Sequence, residues 1–208
     1  MRILIADDHT LIREGLRKIL EESLSFAEVH DVSDSADLFK KAVGESWDII
    51  ISDISMPGYS GIEILKQIKE HAPQTPVLML SMHSPEQYAV RAIKAGAAGY
   101  LTKESAPYEL VKAVQQILSG RKYITSEVAE VLAGSLEEKS DKAPHEQLSD
   151  REFEVFKMLV SGKSISEIGD ILSLNVNTIS TYRARIMDKM RMQSNADLVR
   201  YAIQNNIV

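Results

Sequence analysis

Three carboxylates, a hydroxyl and an ammonium in this 208-residue chain fall where they could work as one set: Asp7, Asp8, Asp53, Ser81 and Lys103. Each ends or follows a short β-type run, and in parallel α/β sheets the functional crevice lies beyond the carboxyl ends of the strands. Clustered carboxylates repel unless a cation offsets them, and an oxygen-rich site of this kind suits Mg2+, which accepts one or two carboxylates and keeps several waters. Such an ion could join an Asp oxygen to an incoming phosphoryl group. Lys103 and Ser81 would then contact the remaining oxygens, leaving Asp53 as the nucleophile of an in-line transfer. Taken singly, an Asp after a strand more often caps the next helix or makes a turn. Five residues of suitable type at four strand ends are a poor match for independent caps.

The elements that must position this set follow from hydropathy patterning. β-type runs at 3–6, 28–32, 48–52, 76–81 and 98–101 alternate with segments of helical period, which implies a parallel sheet. The runs Ile3-Leu4-Ile5, Ile49-Ile50-Ile51 and Val77-Leu78-Met79-Leu80 are continuously apolar, as central strands covered on both faces are. Leu11, Gly15, Leu16, Ile19 and Leu20, and likewise Ile62, Leu65, Ile68 and Lys69, form stripes expected to pack on the sheet. The fold class is therefore α/β, a doubly wound five-stranded parallel sheet, followed by a small all-α unit of four helices.

The expected domains are 1–120 for the sheet and 147–208 for the helical unit. Between them, 121–146 reads as a linker with a short helix at 126–132, and its stretch GSLEEKSDKAPH at 134–145 is charged and carries Gly and Pro. The helical unit opens on two capping boxes, Ser149 with Glu152 and Ser164 with Glu167, with further helices at 175–190 and 194–205.

Composition narrows the function classes. The chain has no cysteine, which excludes disulfides, thiolate metal sites and cysteine nucleophiles. It has no apolar run long enough to span a bilayer and no signal-like N-terminus, so membrane association is not expected and a cytoplasmic location is. Residues 1–145 hold 16 Lys+Arg against 22 Asp+Glu, whereas 146–208 hold 8 of each. A neutral second unit argues against strong non-specific nucleic-acid binding, so any such role rests on how its basic residues are arranged.

Residues 164–190, SISEIGDILSLNVNTISTYRARIMDKM, hold two helical patterns with a short turn at 173–175, which fits a helix-turn-helix. On a helical wheel Ile179, Ile186 and Met190 share the inward face. The opposite arc carries Asn177, Ser180, Thr181, Ala184, Arg185 and Asp188, side chains able to reach a major groove. Lys189 and Arg191 are placed for phosphates. Arg183, Arg185 and Lys189 taken in isolation would more often make an ordinary solvated face.

The motifs ADDH at 6–9, SDISMPGYSG at 52–61, LSMH at 80–83 and GYLTK at 99–103 resemble the receiver family of two-component signalling over residues 1 to about 120. The resemblance implies Asp53 as phospho-acceptor and Asp8 as a direct Mg2+ ligand, with Asp7 a ligand through water and Ser55 one through its backbone carbonyl. It implies Ser81 as the hydroxyl that follows the phosphoryl group, Tyr100 as the aromatic that turns inward with it, and Lys103 as the phosphate partner. Met56-Pro57-Gly58 fits the family pattern, while Glu104 stands where many receivers have proline.

The segments LSDREFEVF, LVSGKSISEIGDIL, NVNTISTYRARIMDKM and NADLVRYAI are similar to the LuxR-type DNA-binding domain. Together the two halves resemble the NarL/FixJ subfamily of response regulators. Tyr182 replaces a common His and Asn175-Val176-Asn177 the usual charged residues, so base preference does not transfer.

The resemblance implies a sensor histidine kinase, double-stranded DNA and a phosphorylation-linked homodimer as partners, with RNA polymerase a further candidate. Enzymatic activity would be limited to Mg-dependent self-phosphorylation and self-dephosphorylation. One alternative is a phosphorylation-independent regulator that uses the receiver only to dimerise. A flavodoxin-like nucleotide domain would need a glycine- or hydroxyl-rich loop after the first strand, where Asp7-Asp8-His9 repels anions instead.

Overall fold

The computed structural model describes residues 1–56, 59–137, 143–205 and 207, and the chain divides into two compact units, 1–137 and 138–208. The sequence readings on Pro57, Gly58 and the charged stretch 138–142 lie outside the described residues.

In the first unit, strands β1 (Arg2–Ala6), β2 (Glu28–Val32), β3 (Ile49–Asp53), β4 (Val77–Ser81) and β5 (Gly99–Thr102) form one parallel sheet in the order β2-β1-β3-β4-β5. The three apolar runs are its three central strands, and Ile3, Leu4, Ile5, Ile49, Ile50, Ile51, Val77, Leu78, Met79 and Leu80 are all essentially without solvent contact. Burying side chains of this size is worth about 1.5–3 kcal/mol each, which makes the centre of the sheet the rigid part of the unit. The strand order reverses beside β1, and that is where a doubly wound sheet opens its crevice.

The crossover helices are α1 (Thr10–Ser23), α2 (Ser35–Gly44), α3 (Gly61–His71), α4 (Pro85–Lys94) and α5 (Ala106–Leu118). α3 buries Ile62, Leu65 and Ile68 as its period requires. α1 departs from the expected stripe: Leu11 is 81% exposed and Gly15 is exposed, and the inward face is Ile12, Leu16, Ile19 and Leu20. Leu11 and Ile12 are both apolar, and the i, i+4, i+7, i+8 series that meets the sheet begins at the second of them.

The helix expected at 126–132 runs further, as α6 (Ser126–Glu137), and packs on α4 with Val128 buried. Gly134, expected in the linker, lies inside it. One glycine costs a helix only about 1 kcal/mol relative to alanine, and the stripe Val128, Val131, Leu132 continues the packing.

The second unit begins with a 3-10 turn at Pro144–Gln147, then α7 (Asp150–Val160), α8 (Ile165–Leu172), α9 (Val176–Met190) and α10 (Asn195–Gln204). Both expected capping boxes are complete, Ser149 with Glu152 and Ser164 with Glu167. Phe153, Phe156, Ile168, Leu172, Ile179, Ile186, Leu198 and Ala202 fill the core. Between α8 and α9 the chain turns at Ser173 in the left-handed region (φ 53°), and the Leu174 N–H donates to Gly169 O at 2.9 Å. A Cβ at Gly169 would stand 2.8 Å from Leu174 O, so this tight turn requires glycine there.

Candidate functional site

The sheet's hydrogen bonding continues past the strand ends and fixes the loops of the crevice. Asp7 N–H donates to Val32 O at 3.3 Å, Ile54 N–H to Leu80 O at 3.0 Å, and Lys103 N–H to Ser81 O at 2.7 Å. α3 starts so close beneath β3 that a Cβ on Gly61 would lie 2.6 Å from Asp53 O, and the Gly61 N–H donates to Ile54 O at 2.9 Å. Arg13 reaches back from α1 to Asp7 O at 2.7 Å while its Nε bonds Asp31 at 2.9 Å, which ties the end of β1 to β2.

These constraints bring Asp7, Asp8, Asp53 and Lys103 together. Lys103 Nζ lies 2.7 Å from Asp53 Oδ2 in a hydrogen bond and 2.6 Å from Asp7 Oδ2 in an ion pair without hydrogen-bond alignment. All three side chains are almost wholly buried. Asp53 Oδ1 is buried with no hydrogen-bond partner among the described residues.

Burial pushes the Asp53 carboxyl up to about 6, against the charge and hydrogen bond of Lys103. The Asp7 charge adds to the rise, and the nearby Ser55 N–H opposes it. For Lys103 burial favours the neutral amine, but the charges of Asp53 and Asp7 and the hydrogen bond to Asp53 outweigh it, so its pKa is raised. Asp8 is one-third exposed at the mouth, and Ser55 is exposed two residues after Asp53.

The donor set fits a hard divalent ion. One ligand atom each from Asp7, Asp8, His9 and Asp53 lies within 4.8 Å of the others, two buried carboxylate oxygens there lack hydrogen-bond partners, and the open Asp8 side would let an ion keep its waters.

Ser81 is fully buried and its Oγ accepts from the His83 N–H at 3.0 Å. Tyr100 is also buried, and its hydroxyl donates to His83 O at 2.8 Å. Burial raises its pKa, and a hydrogen bond with Ser81 opposes that rise. The two residues thus meet on the backbone of His83. The sequence reading quoted LSMH without giving His83 any part, and it gave none to Arg13 or to the side chain of His9.

In the second unit, α9 presents Asn177, Ser180, Thr181, Ala184, Arg185, Asp188 and Lys189 to solvent, while Ile179, Ile186 and Met190 are buried. Arg185 makes no ion pair among the described residues. Thr181 Oγ1 donates back to Asn177 O at 2.9 Å. Arg183 Nε donates to Asn195 Oδ1 at 2.9 Å, so it braces α10. Lys189 Nζ lies 2.6 Å from Glu152 Oε2, so its charge is already engaged within the unit, and its sequence assignment to a phosphate competes with this pair.

No helix among the described residues is long and apolar enough to cross a membrane. The family model "Response regulator receiver domain" matches residues 3–115, and "Bacterial regulatory proteins, luxR family" matches 146–202. Response regulator UvrY of Escherichia coli (strain K12) is 33% identical over 208 residues, covering 100% of this chain and 95% of that protein. Response regulator GacA of Pseudomonas aeruginosa is 30% identical over 209 residues, covering 100% of this chain and 98% of its own. Among solved structures, RcsB from Salmonella enterica serovar Typhimurium, bound to promoter rprA in the presence of phosphomimetic BeF3-, is similar with a TM-score of 0.66 at 27% identity, covering 97% of this chain and 98% of that one. An RcsB–DNA complex is similar with a TM-score of 0.59 at 29% identity, covering 97% and 96%.

Proposed function

This chain belongs to the two-component response regulators of NarL/FixJ type, a receiver joined to a LuxR-type DNA-binding domain that regulates transcription, and from that premise we propose that Asp53 is its phosphorylation site. The observation that carries the proposal is the asymmetry of the Asp53 carboxylate: Lys103 holds Oδ2, while Oδ1 has no hydrogen-bond partner among the described residues and is left to attack.

A sensor histidine kinase is the donor. Asp53 Oδ1 forms the new bond to phosphorus as the phosphorus–nitrogen bond of the kinase phosphohistidine breaks, and the leaving imidazole takes up a proton. Asp7, Asp8, Asp53 and the Ser55 carbonyl would hold Mg2+, which supplies positive charge for the phosphoryl oxygens. Lys103 moves its charge from the carboxylates to a phosphoryl oxygen, and the Ser81 hydroxyl donates to another. Once Ser81 turns to the phosphoryl group, its bond to His83 is lost, and Tyr100, held on the same residue, repositions with it. Its own catalysis is limited to this self-phosphorylation and self-dephosphorylation.

We assign the receiver to 1–120, the linker to 121–146 and the DNA-binding domain to 147–208, with α6 as the part of the linker that docks on α4. RcsB is seen on promoter DNA and as dimers on DNA. By that analogy, phosphorylation drives this chain to dimerise on duplex DNA in the cytoplasm. Asn177, Ser180, Thr181, Ala184 and Arg185 of α9 face the major groove, and Lys189 lies at the backbone.

The test is phosphorylation by a small-molecule donor such as acetyl phosphate with Mg2+. The wild-type chain should form a hydroxylamine-sensitive acyl phosphate and Asp53→Asn should not. An Asn variant that is labelled at the wild-type rate would remove Asp53 from the mechanism.

A further inference from the structure

Several polar groups of α9 are already engaged inside the second unit. The Asn175 side-chain oxygen accepts from the Asn177 N–H at 2.8 Å, Arg183 Nε donates to Asn195, and Lys189 pairs with Glu152. Thr181 is engaged in another way: its Oγ1 donates to Asn177 O, one turn back, at 2.9 Å. The single hydroxyl proton is thereby committed to the helix, and because Cβ is branched, fixing Oγ1 also fixes the methyl. With the hydroxyl folded onto its own backbone, the methyl is the outer group of an exposed side chain. Ala184, also exposed, follows three positions on, and residues at that spacing are neighbours on a helix surface. Asn177, Thr181, Ala184 and Asp188 form the row opposite the buried Ile179, Ile186 and Met190. Two methyls thus occupy the middle of that row, between an amide and a carboxylate, and the row holds no cation for a phosphate.

We propose that Thr181 and Ala184 are a specificity-determining pair that reads thymine through its 5-methyl group and not through a hydrogen bond. The inference rests on the placement of α9 in the major groove above and adds which base its centre selects. Among the base edges of that groove, thymine alone carries an apolar group, and alanine and the threonine methyl are side chains that meet it. Both side chains are small, so the helix can come close enough for methyl-to-methyl contact. The Thr181 hydroxyl keeps lone pairs that could accept from a base, and substitutions that remove either group alone separate the two uses.

The probe is a duplex enriched from a random-sequence pool by the full chain with acetyl phosphate and Mg2+. Each of its thymines is then replaced singly by deoxyuracil, which pairs alike and lacks only the methyl, and Kd is measured by anisotropy at fixed salt. For the wild-type chain Kd should rise about fourfold at the contacted thymine, the worth of one buried methyl group. Thr181→Ser keeps the hydroxyl and loses the methyl, so the ratio of thymine to deoxyuracil affinity at that position should fall to about one. Thr181→Val keeps a methyl and loses the hydroxyl, so the ratio should persist. Ala184→Gly should lower the ratio at the same thymine or its neighbour. A ratio taken within one variant does not depend on how much of that variant is folded. A wild-type ratio near one at every thymine, a ratio that survives in Thr181→Ser, or one that vanishes in Thr181→Val overturns the methyl reading while leaving DNA binding in place. A ratio unmoved by Ala184→Gly removes Ala184 from the pair. A pool from which the chain enriches no duplex overturns the reading of α9 as the DNA-contacting helix.

Discussion

The Asp53 carboxyl is held at about 6 instead of 3.8, chiefly by burial, and this makes the receiver less stable than its core would allow. At 1.36 kcal/mol for each pH unit, ionised Asp53 costs about 3 kcal/mol relative to the same group in water. The sign follows from proton binding: between about pH 4 and 6 the folded state holds a proton that the unfolded chain has released. Stability therefore falls as pH rises through that window, and the full cost stands above it. Asn cannot ionise, and its carbonyl oxygen can still accept from Lys103. Asp53→Asn should accordingly match wild type near pH 4 and exceed it by up to about 3 kcal/mol at pH 7.5 without divalent ions. Trp47, the sole tryptophan and buried in the first unit, reports this transition separately from the second unit in urea titrations. Saturating Mg2+ should close the gap, because an ion at a hundredfold over its Kd adds about 2.7 kcal/mol to the state that binds it. The reasoning fails if Asp53→Asn is the less stable protein at pH 7.5 in chelator, or if the difference is the same at pH 4.5 and 7.5.

Gly61→Ala sets a methyl 2.6 Å from Asp53 O, so α3 must shift; phosphorylation by acetyl phosphate should slow, and the Trp47-monitored midpoint should drop. Ile186→Ala empties a fully buried position under α9 and should cost the second unit about 2–5 kcal/mol, read from its thermal unfolding by circular dichroism. Arg185→Ala should leave that unfolding unchanged and weaken binding to a cognate duplex by about 1–3 kcal/mol per copy, measured by anisotropy at fixed salt.

What the sequence disclosed depended on how local the determining physics was. The central strands were legible because burial on both faces leaves continuous apolar runs, and the strand ends then named Asp7, Asp53, Ser81 and Lys103 without any side-chain geometry. Both capping boxes were legible because each is closed within four residues. The facing of α1 was not: Leu11 and Ile12 are adjacent and alike in hydropathy, and only contact with the sheet chooses between them. Gly134 reads as a break in a sequence, whereas packing of α6 on α4 outweighs its small cost. The pairing of Lys189 with Glu152, 37 residues away, is settled by tertiary placement, and spacing carries no trace of it.

That pairing bears on how the second unit binds DNA. Residues 146–208 have a formal charge of zero, and their eight cations are not equally available. Arg151 is buried against Glu154, Lys189 is held by Glu152, Arg200 by Asp197, and Lys157 is buried. This leaves chiefly Lys163, Arg183, Arg185 and Arg191, with Arg183 already hydrogen-bonded to Asn195. Counterion release scales with the number of phosphates neutralised, so one copy with so few available cations gains little from the backbone. Two copies on one duplex double that term and add the effective concentration of a linked pair. Under the proposed reading, a DNA-binding unit so poor in available charge is what allows phosphorylation-driven dimerisation to act as the switch, because a strongly basic domain would bind without it.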